Sequence, residues 1–299
     1  MSPSQRARHM DVTNTIDVTD PMAVLAALQS ILAARYPGFD FSAVDTLMRD
    51  FSRLYRGEFP GYRASDTAYH NLQHVLDVSL AMARLLDGHD GACAADEVLG
   101  PEMALAGIAA ALFHDAGYIR RREDNSCTNG AAYTRVHVSR SEEFMSEYFP
   151  TVGLAHLLPS CKRIVHFTGY EVDPGSIDTR SSREYALGSL LGSADLIAQI
   201  ADVDYLKKCQ ENLYAEFVLA GMAGEGELEG YKEIVYRSPR QLMESTPDFI
   251  RTVIDARLEG YFNGVYHYAA KHFNGPNLYM DAIEHNRRAL QRLLASTSD

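Results

Sequence analysis

The segment from Pro101 to Phe113 limits the possible folds more than any other stretch, because it offers no polar face. After Glu102 it contains only Met, Ala, Leu, Gly, Ile and Phe, and its opening Pro-Glu pair is typical of the first turn of a helix. A helix that is apolar on every side has to be surrounded by other elements. The sequence therefore predicts a molecule assembled around this helix.

The rest of the chain shows helical periodicity, and no stretch sustains the alternation expected of a strand. Residues 1–20 are polar and aperiodic and are predicted to form a disordered tail, whereas residues 169–183 and 221–231 are predicted loops. These observations predict one all-α domain over residues 21–299, a bundle of about ten helices. Besides the apolar helix, the predicted helices are 22–35, 41–55, 68–86, 138–149, 154–167, 184–200, 203–220, 247–258, 261–272 and 277–295.

The composition limits the partners of such a domain. The chain has 299 residues, 46% of them apolar, and a formal net charge of −12. This charge argues against a nucleic-acid polymer or an anionic membrane as partner, because both are held mainly by clustered Lys and Arg. A small phosphorylated substrate remains compatible, since a bound metal ion can supply positive charge locally.

The cysteines and the hydropathy indicate the compartment. Cys93, Cys127, Cys161 and Cys209 are far apart, and no C-x-x-C or zinc-finger spacing is present. This pattern is typical of a reducing compartment. No apolar run reaches the roughly 18 residues that cross a bilayer, and the N-terminus lacks the apolar segment of a signal peptide. We therefore expect a cytoplasmic protein.

Polar groups interrupt the apolar helices at three places, and the first is the pair His70 and His74. In Tyr-His-Asn-Leu-Gln-His the two histidines would share one helix face, close to an inward stripe that includes Val75 and Val78. Such a pair could bind a metal or act as an acid or base. It could equally consist of core or surface histidines that are satisfied by hydrogen bonds.

The second group is His114-Asp115 at the end of the apolar helix, and the third is Asp195 in another apolar helix. Burying an ionisable pair is costly unless a partner compensates, as a divalent ion does for an imidazole and a carboxylate together. A helix that simply ends in polar residues is the alternative. Asp195 lies between Leu191 and Ala198 on one face, where a charge marks a metal or functional partner more often than a hydrogen-bonded helix end.

The order His, His-Asp, Asp on apolar helices resembles the HD superfamily of metal-dependent phosphohydrolases, and His-Asn-x-x-His also resembles the 3′,5′-cyclic-nucleotide phosphodiesterases. The resemblance covers about residues 65–200 and implies an HD-domain-like helical bundle. It implies that His70 donates a proton to the leaving oxygen, and that His137 and His166 hold a second metal bridged by Asp115. The implied ligands of the first metal are His74, His114, Asp115 and Asp195.

The chain also departs from two patterns within that group. A phosphodiesterase His-Asp-x-x-His would place a histidine where this chain has Tyr118, and residues 167–170 only faintly match the Gly-Tyr-Pro signature of cyclic-di-nucleotide phosphodiesterases. Both departures argue against those particular substrates. The run Arg120, Arg121 and Arg122 after the His-Asp turn could hold a phosphate, or it could be a solvated basic loop.

The resemblance implies hydrolysis of a phosphate mono- or diester in a nucleotide-like molecule, with His70 and Asp115 as catalytic residues. One or two divalent ions (Mn, Mg, Fe, Co or Zn) would lower the pKa of a water that attacks phosphorus in line. Two alternatives stay open. One is an HD-type di-iron oxygenase that uses the same ligands, and the other is a nucleotide-sensing module whose metal site is not catalytic.

Overall fold

The computed structural model describes residues 6–224 and 235–296, and within them the protein is an all-α bundle, as predicted. Apart from three isolated bridges, the described residues contain no β-structure. The α-helices are α1 (Pro21–Arg35), α2 (Ser42–Tyr55), α3 (Leu72–Ala92), α4 (Gly100–Phe113), α5 (His137–Tyr148), α6 (Leu158–Ile164), α7 (Ser182–Ala201), α8 (Tyr205–Lys208), α9 (Tyr214–Leu219), α10 (Pro239–Thr252), α11 (Tyr268–His272) and α12 (Leu278–Ser296).

Helix α4 lies at the centre of the fold, as its sequence predicts. Every residue from Ala104 to Phe113 is buried, and α2, α3, α6 and α7 pack around them. The C-terminal end of α4 therefore brings His114 and Asp115 into the interior, where they are 1% and 2% exposed.

Helix α3 packs beside α4, but its ends differ from the predicted range 68–86. It begins at Leu72 because the Asn71 side chain accepts a hydrogen bond from the His74 N–H and caps the first turn. It continues through Gly88. A Cβ at this position would lie 1.9 Å from the carbonyl oxygen of a neighbouring segment, so the close approach requires a glycine. His70 consequently precedes the helix, so the predicted sharing of one helix face by His70 and His74 is wrong.

Helix α7 carries Asp195 in its buried middle. The Ser181 side chain caps its first turn by accepting from the backbone N–H of Glu184. Two glycines of α7, Gly188 and Gly192, let aromatic rings of other segments lie directly on the helix, since a Cβ would come within 2.5 and 2.6 Å of ring atoms. This close packing fixes α7 against the core and Asp195 with it.

Residues 6–20 are not the disordered tail that the sequence predicts. Asp11 is 1% exposed and pairs with the buried Arg84 of α3, whose guanidinium also donates to the Tyr279 hydroxyl at 2.8 Å. A polar, aperiodic segment can be ordered in this way, because a buried ion pair holds it in place of an apolar stripe. The same prediction for residues 1–5 falls outside the described residues.

The predicted helices after residue 200 are interrupted in the structure. A π-helical stretch, Cys209–Leu213, joins α8 to α9 where one helix over 203–220 was expected. Helix α10 likewise continues into a π-helical stretch, Val253–Tyr261. These wider turns follow an i→i+5 pattern, which an apolar period of 3.6 residues does not reveal. Most of the predicted loop 221–231 lies outside the described residues.

Among the described residues, no single helix has both the length and the hydropathy needed to cross a membrane. One pair of helices, Ser182–Ala201 with Tyr205–Leu219, meets those criteria only when taken together, and it is bent by 95°.

Candidate metal centre

Three helices bring the four predicted ligands of the first metal to one point. His74 lies in the first turn of α3, His114 and Asp115 follow the last turn of α4, and Asp195 lies within α7. Because α3 packs against both α4 and α7, these side chains converge between the helices. Donor atoms of His74, His114 and Asp115 lie within 4.8 Å of one another, and the cluster could hold a metal ion.

The distances in this cluster fit the ligands of one ion better than they fit hydrogen bonds. His74 Nε2 lies 3.4 Å from Asp115 Oδ2 and 3.3 Å from Asp195 Oδ1. His114 Nε2 lies 3.4 and 3.8 Å from the same two oxygens. A tetrahedral ion with bonds of about 2.0–2.1 Å separates its ligand atoms by roughly 3.4 Å. The residues present therefore fit a metal of that size.

Two polar atoms of the cluster lack a hydrogen-bond partner. His114 Nε2 and Asp115 Oδ2 are buried and make no hydrogen bond with any described residue. Leaving a buried donor or acceptor unpaired is costly, and buried polar atoms are nearly always paired in folded proteins. A cation between them would satisfy both atoms at once.

Backbone carbonyls orient two of the imidazoles toward this point. His114 Nδ1 lies 2.8 Å from the Ala111 carbonyl, and His137 Nδ1 lies 2.8 Å from the Thr134 carbonyl. A carbonyl can only accept, so in both rings Nδ1 carries the proton and Nε2 presents a lone pair. Both imidazoles are therefore oriented so that Nε2 is the nitrogen available to a metal.

His137 faces the second oxygen of Asp115. Its Nε2 lies 3.7 Å from Asp115 Oδ1, on the side of the carboxylate away from His74 and His114. The close approach is possible because Gly117 has no side chain, since a Cβ there would lie 1.9 Å from the His137 carbonyl oxygen. Burial lowers the pKa of His137, which keeps the ring neutral. The two oxygens of Asp115 thus face different histidines, Oδ2 toward His74 and His114 and Oδ1 toward His137.

Two carboxylates give the cluster a negative potential. Burial opposes a charge on His74, but Asp115 and Asp195 outweigh it and raise the pKa of His74 to about 10. Burial also opposes ionisation of Asp115, yet His114 and His74 hold its pKa well below the usual range. In the absence of metal, a proton on His74 therefore compensates the carboxylates, and an ion would take its place.

His70 lies beside the cluster and is held by a buried acid. Its Nδ1 lies 2.6 Å from Oε2 of Glu216, whose other oxygen accepts from the Tyr69 N–H at 2.6 Å. Burial lowers the pKa of His70, but the charge and the hydrogen bond of Glu216 outweigh it and raise the pKa. The ring lies nearly parallel to that of Tyr118, 4.5 Å away between centroids, and its Nε2 is left for the cavity.

The structure does not bring His166 to this site. Its Nε2 lies 2.9 Å from Oε2 of Glu142, and it lines a separate open pocket together with Lys162 and Arg163. Helix α5 presents His137 toward Asp115 but Glu142 toward a different side, which is where His166 points. The predicted second-metal pair of His137 and His166 is therefore corrected: only His137 faces the cluster.

The three predicted phosphate-binding arginines also point elsewhere. Arg120 pairs with Asp66 at 2.6 Å, and Arg121 pairs with Glu147 at 2.6 Å. Arg122 donates to the Tyr62 carbonyl at 3.0 Å. None of the three lines the cavity at the cluster. The basic run thus fastens its own loop to neighbouring segments, which was the alternative interpretation of the sequence.

A cavity of about 380 Å³ opens from the cluster. Among its described lining residues, Arg135 is the one Lys or Arg side chain. Tyr170 at its rim is 67% exposed and rests on the guanidinium of the buried Arg257, 3.9 Å from the ring centroid. Six of the described aromatic side chains line the cavity, namely Tyr69, Tyr118, Tyr170, Phe217, Tyr236 and Phe249.

Several functional candidates are absent from the sequence-based set. Glu216 had a usable signal, because it is an acid between Leu213 and Ala220 in a predicted helix, which is the argument that found Asp195. Arg135 and the aromatic lining had no such signal. They come from segments far apart in the chain, and their meeting depends on how the helices after residue 200 fold back over the site.

Comparison with known proteins gives a family match over about half of the chain. A family model described as Npun_R2479-like matches residues 123–275. The matched part contains His137, Asp195 and Glu216, whereas His74 and the His114-Asp115 pair precede it. No curated protein gives a significant match.

Proposed function

The chain belongs to the Npun_R2479-like family, and we propose that it is a metal-dependent phosphohydrolase acting on a phosphate mono- or diester of a nucleotide-like molecule. The family's description names no activity, so the proposal rests on the site. Its main support is the pair of unpaired buried atoms, His114 Nε2 and Asp115 Oδ2, which face His74 and Asp195 at ligand spacing.

The order of these ligands also supports membership of the HD superfamily, as the sequence resemblance implies. One divalent ion would be held by His74, His114, Asp115 and Asp195, and a second would lie between Asp115 Oδ1 and His137. Such ions supply positive charge to phosphate oxygens and lower the pKa of a water. Mn, Mg, Fe, Co and Zn all accept this mixed nitrogen and oxygen ligand set.

His70 is the proposed proton donor to the leaving oxygen. Glu216 fixes Nδ1 as the protonated nitrogen facing away from the cavity, so Nε2 faces the substrate. Because Glu216 raises the pKa of His70, the imidazolium is present near neutral pH and can release its Nε2 proton. The ring of Tyr118 packs almost parallel to the imidazole and supports this orientation.

The cavity supports a substrate with a flat group attached to the phosphate. Its aromatic walls offer stacking surfaces of the kind that hold a nucleobase, and Arg135 offers a guanidinium for a phosphate oxygen. A long polyphosphate is less well suited, since Arg135 is the one Lys or Arg among the described lining residues.

All four cysteines are free thiols, which supports the reducing, cytoplasmic compartment that forms part of the proposal.

The geometry weakens the di-iron oxygenase alternative. That alternative used six ligands, and the structure places His166 with Glu142 in another pocket. The second ion would then keep only Asp115 and His137 from the predicted set. An oxygenase requires dioxygen, so comparing turnover in air and under argon separates the two chemistries.

The test is product release from phosphomonoesters, 3′,5′-cyclic nucleotides and an artificial phosphodiester, using metal-stripped protein to which Mn is added. Turnover should return with metal and disappear in Asp115→Ala. In His70→Ala we expect turnover to fall roughly 10²–10⁴-fold while bound metal, measured by elemental analysis, is retained. Metal that leaves with His70 would show that it is a ligand or a structural residue.

Absence of turnover on every substrate, from protein that still binds metal, would contradict the proposal. A rise in melting temperature with a nucleotide, without turnover, would then indicate a sensor.

A further inference from the structure

We propose that His89, Asp90 and Cys93 form a second, separate metal site that takes a thiophilic divalent ion such as Zn²⁺. Each of the three offers one donor atom, and these atoms lie within 4.8 Å of one another. The group lies at the C-terminal end of α3, whereas His74 lies in its first turn. At a rise of about 1.5 Å per residue the two places are roughly 22 Å apart, so no ion is shared.

The backbone brings the three side chains together. His89 and Cys93 are one helical turn apart, and the N–H of Cys93 donates to the His89 carbonyl as the helix ends. The His89 side chain is 5% exposed and the Asp90 side chain 1% exposed. Cys93 is partly exposed and its thiol is free. The site is therefore buried on the imidazole and carboxylate side and open to solvent at the sulfur.

Hydrogen bonds hold the carboxylate in one orientation. Asp90 accepts from the N–H groups of Leu99 and Gly100 at 3.0 and 2.8 Å and from the Tyr36 hydroxyl at 2.9 Å. His89 Nδ1 lies 2.7 Å from Asp90 Oδ1. For His89 and Asp90 to bind one ion together, the His89 proton would move from Nδ1 to Nε2, and the bond of each to the ion would replace their mutual hydrogen bond.

The local field favours a cation. The carboxylates of Asp90, Glu97 and Asp96 lie near enough to the Cys93 sulfur to act on it electrostatically. Their negative charge attracts a positive ion to this point, and a bound ion would in turn stabilise the thiolate. On binding, Cys93 would lose its proton to solvent and its sulfur would bind the ion.

The donor set defines the class of ion. Thiolate and imidazole select Zn²⁺ and similar soft or borderline ions over Mg²⁺ and Ca²⁺, which prefer oxygen ligands. With three protein ligands, the fourth tetrahedral position would face solvent beside Cys93. An ion here would fasten the end of α3 to the start of α4, because Asp90 already contacts the first residues of α4.

Co²⁺ separates this site from the centre at Asp115, because only a sulfur ligand gives an intense near-ultraviolet charge-transfer band. The experiment titrates full-length, metal-stripped Asp115→Asn protein with Co²⁺ and then with Zn²⁺. We expect the band to appear with Co²⁺ and to vanish when Zn²⁺ displaces it. It should be lost in Asp115→Asn/Cys93→Ser and in Asp115→Asn/His89→Gln, and kept in the matched control Asp115→Asn/Cys127→Ser.

Alkylation gives a second readout that does not depend on the spectrum. Zn²⁺ should slow the reaction of Cys93 with iodoacetamide and leave that of Cys127 unchanged, as followed by mass spectrometry of the peptides. Circular dichroism of each metal-free variant shows that it is folded before titration. A band that persists without Cys93, or no band and no protection while Cys93 reacts freely, would overturn the proposal and leave Asp90 as a cap for α4 alone.

Discussion

Glu216 raises the pKa of His70, and this gives a prediction for the pH dependence of turnover. Burial lowers the pKa of His70, while the charge of Glu216 and its hydrogen bond outweigh burial and raise it. An acid works only while protonated, so activity should be lost as the pH rises through the pKa of His70. In Glu216→Gln that pKa falls, and the loss should begin at lower pH.

The measurement is kcat/KM against pH for wild type and Glu216→Gln, with a fall of about tenfold or more expected near pH 8. Glu211→Gln is the matched control. Glu211 lies just before α9, the helix that carries Glu216, but its side chain is 59% exposed. Equal alkaline limbs in wild type and Glu216→Gln would show that His70 is not the acid.

Asp77 gives a second prediction at the residue scale, this time for stability. Burial, aided by the charge of Asp202, raises the pKa of Asp77 from 3.8 to about 7, and Arg6 and Arg84 only partly offset it. Because the folded-state pKa lies above the unfolded one, the native protein binds this proton more tightly. The contribution is present at low pH and is lost as the pH rises toward about 7.

In Asp77→Asn this loss disappears. We expect the variant to unfold with a free energy roughly 1–4 kcal/mol higher than wild type at pH 8, and with little difference near pH 4. Urea unfolding at both pH values measures the two differences. Asp77 keeps some contact with solvent, which weakens the effect of burial, so the range of this free-energy difference extends down to about 1 kcal/mol. A difference that does not depend on pH would show that the carboxyl is charged throughout.

Residue type and spacing identify candidate site residues in the sequence. This approach succeeds where the path of the backbone alone decides which way a side chain points. His114 and Asp115 follow an apolar helix and had to be buried with it, and Asp195 lies on the inner face of another. The approach fails where the orientation of a side chain depends on which segment packs beside it. His137 and His166 look alike in sequence, but only the former meets a glycine that lets it approach Asp115.

At the scale of elements, Gly117 controls the distance between the end of α4 and the start of α5. A Cβ at this position would lie 1.9 Å from the His137 carbonyl oxygen, so Gly117→Ala must push α5 away from Asp115. We expect a loss of about 1–3 kcal/mol in the free energy of unfolding, measured with urea, because the clash is with backbone. We also expect weaker binding of the second ion.

Gly260→Ala is the control for this prediction. Its Cβ would meet the Asp255 carbonyl at 3.4 Å, an ordinary contact, and alanine usually stabilises a helical position slightly. An equal loss in both variants would mean that glycine flexibility, and not the approach of α5, explains the result at Gly117.

The same scale shows which parts of the fold a sequence can predict. Helices α1, α2, α4, α5, α7 and α12 lie within a few residues of their predicted ranges. Each is an uninterrupted α-helix, which an apolar repeat reveals or, for α4, an unbroken apolar composition. The described part of the chain from α8 to α11, called the C-terminal arm here, differs more from its predicted helices. Its π-helical stretches, Cys209–Leu213 and Val253–Tyr261, shift the register of the apolar period, and this arm supplies Glu216 and Phe249 to the site.

At the scale of the whole molecule, the N-terminal segment joins helices that are far apart in the chain. Asp11 pairs with Arg84 in the middle of α3, and Arg84 also contacts the Tyr279 hydroxyl on α12. Arg6 donates to the carbonyl of Ala201 at the end of α7. This segment thus contacts both helices that carry His74 and Asp195. Deleting it should therefore lower the stability of the fold and disturb the metal centre at the same time.

Asp11→Ala tests how much the pairing of Asp11 with Arg84 contributes to stability. The substitution leaves the guanidinium of Arg84 buried, with only the Tyr279 hydroxyl as a strong partner. Removing one member of a buried ion pair typically costs about 3–5 kcal/mol, and we expect a loss of that size in urea unfolding. The double variant Asp11→Leu/Arg84→Met replaces both charges by apolar groups and should lose much less, because no buried charge is left unpaired. If the double variant is as unstable as the single one, the contribution of Asp11 is not its pairing with Arg84 but the backbone hydrogen bonds that its carboxylate accepts from Thr15 and Ile16.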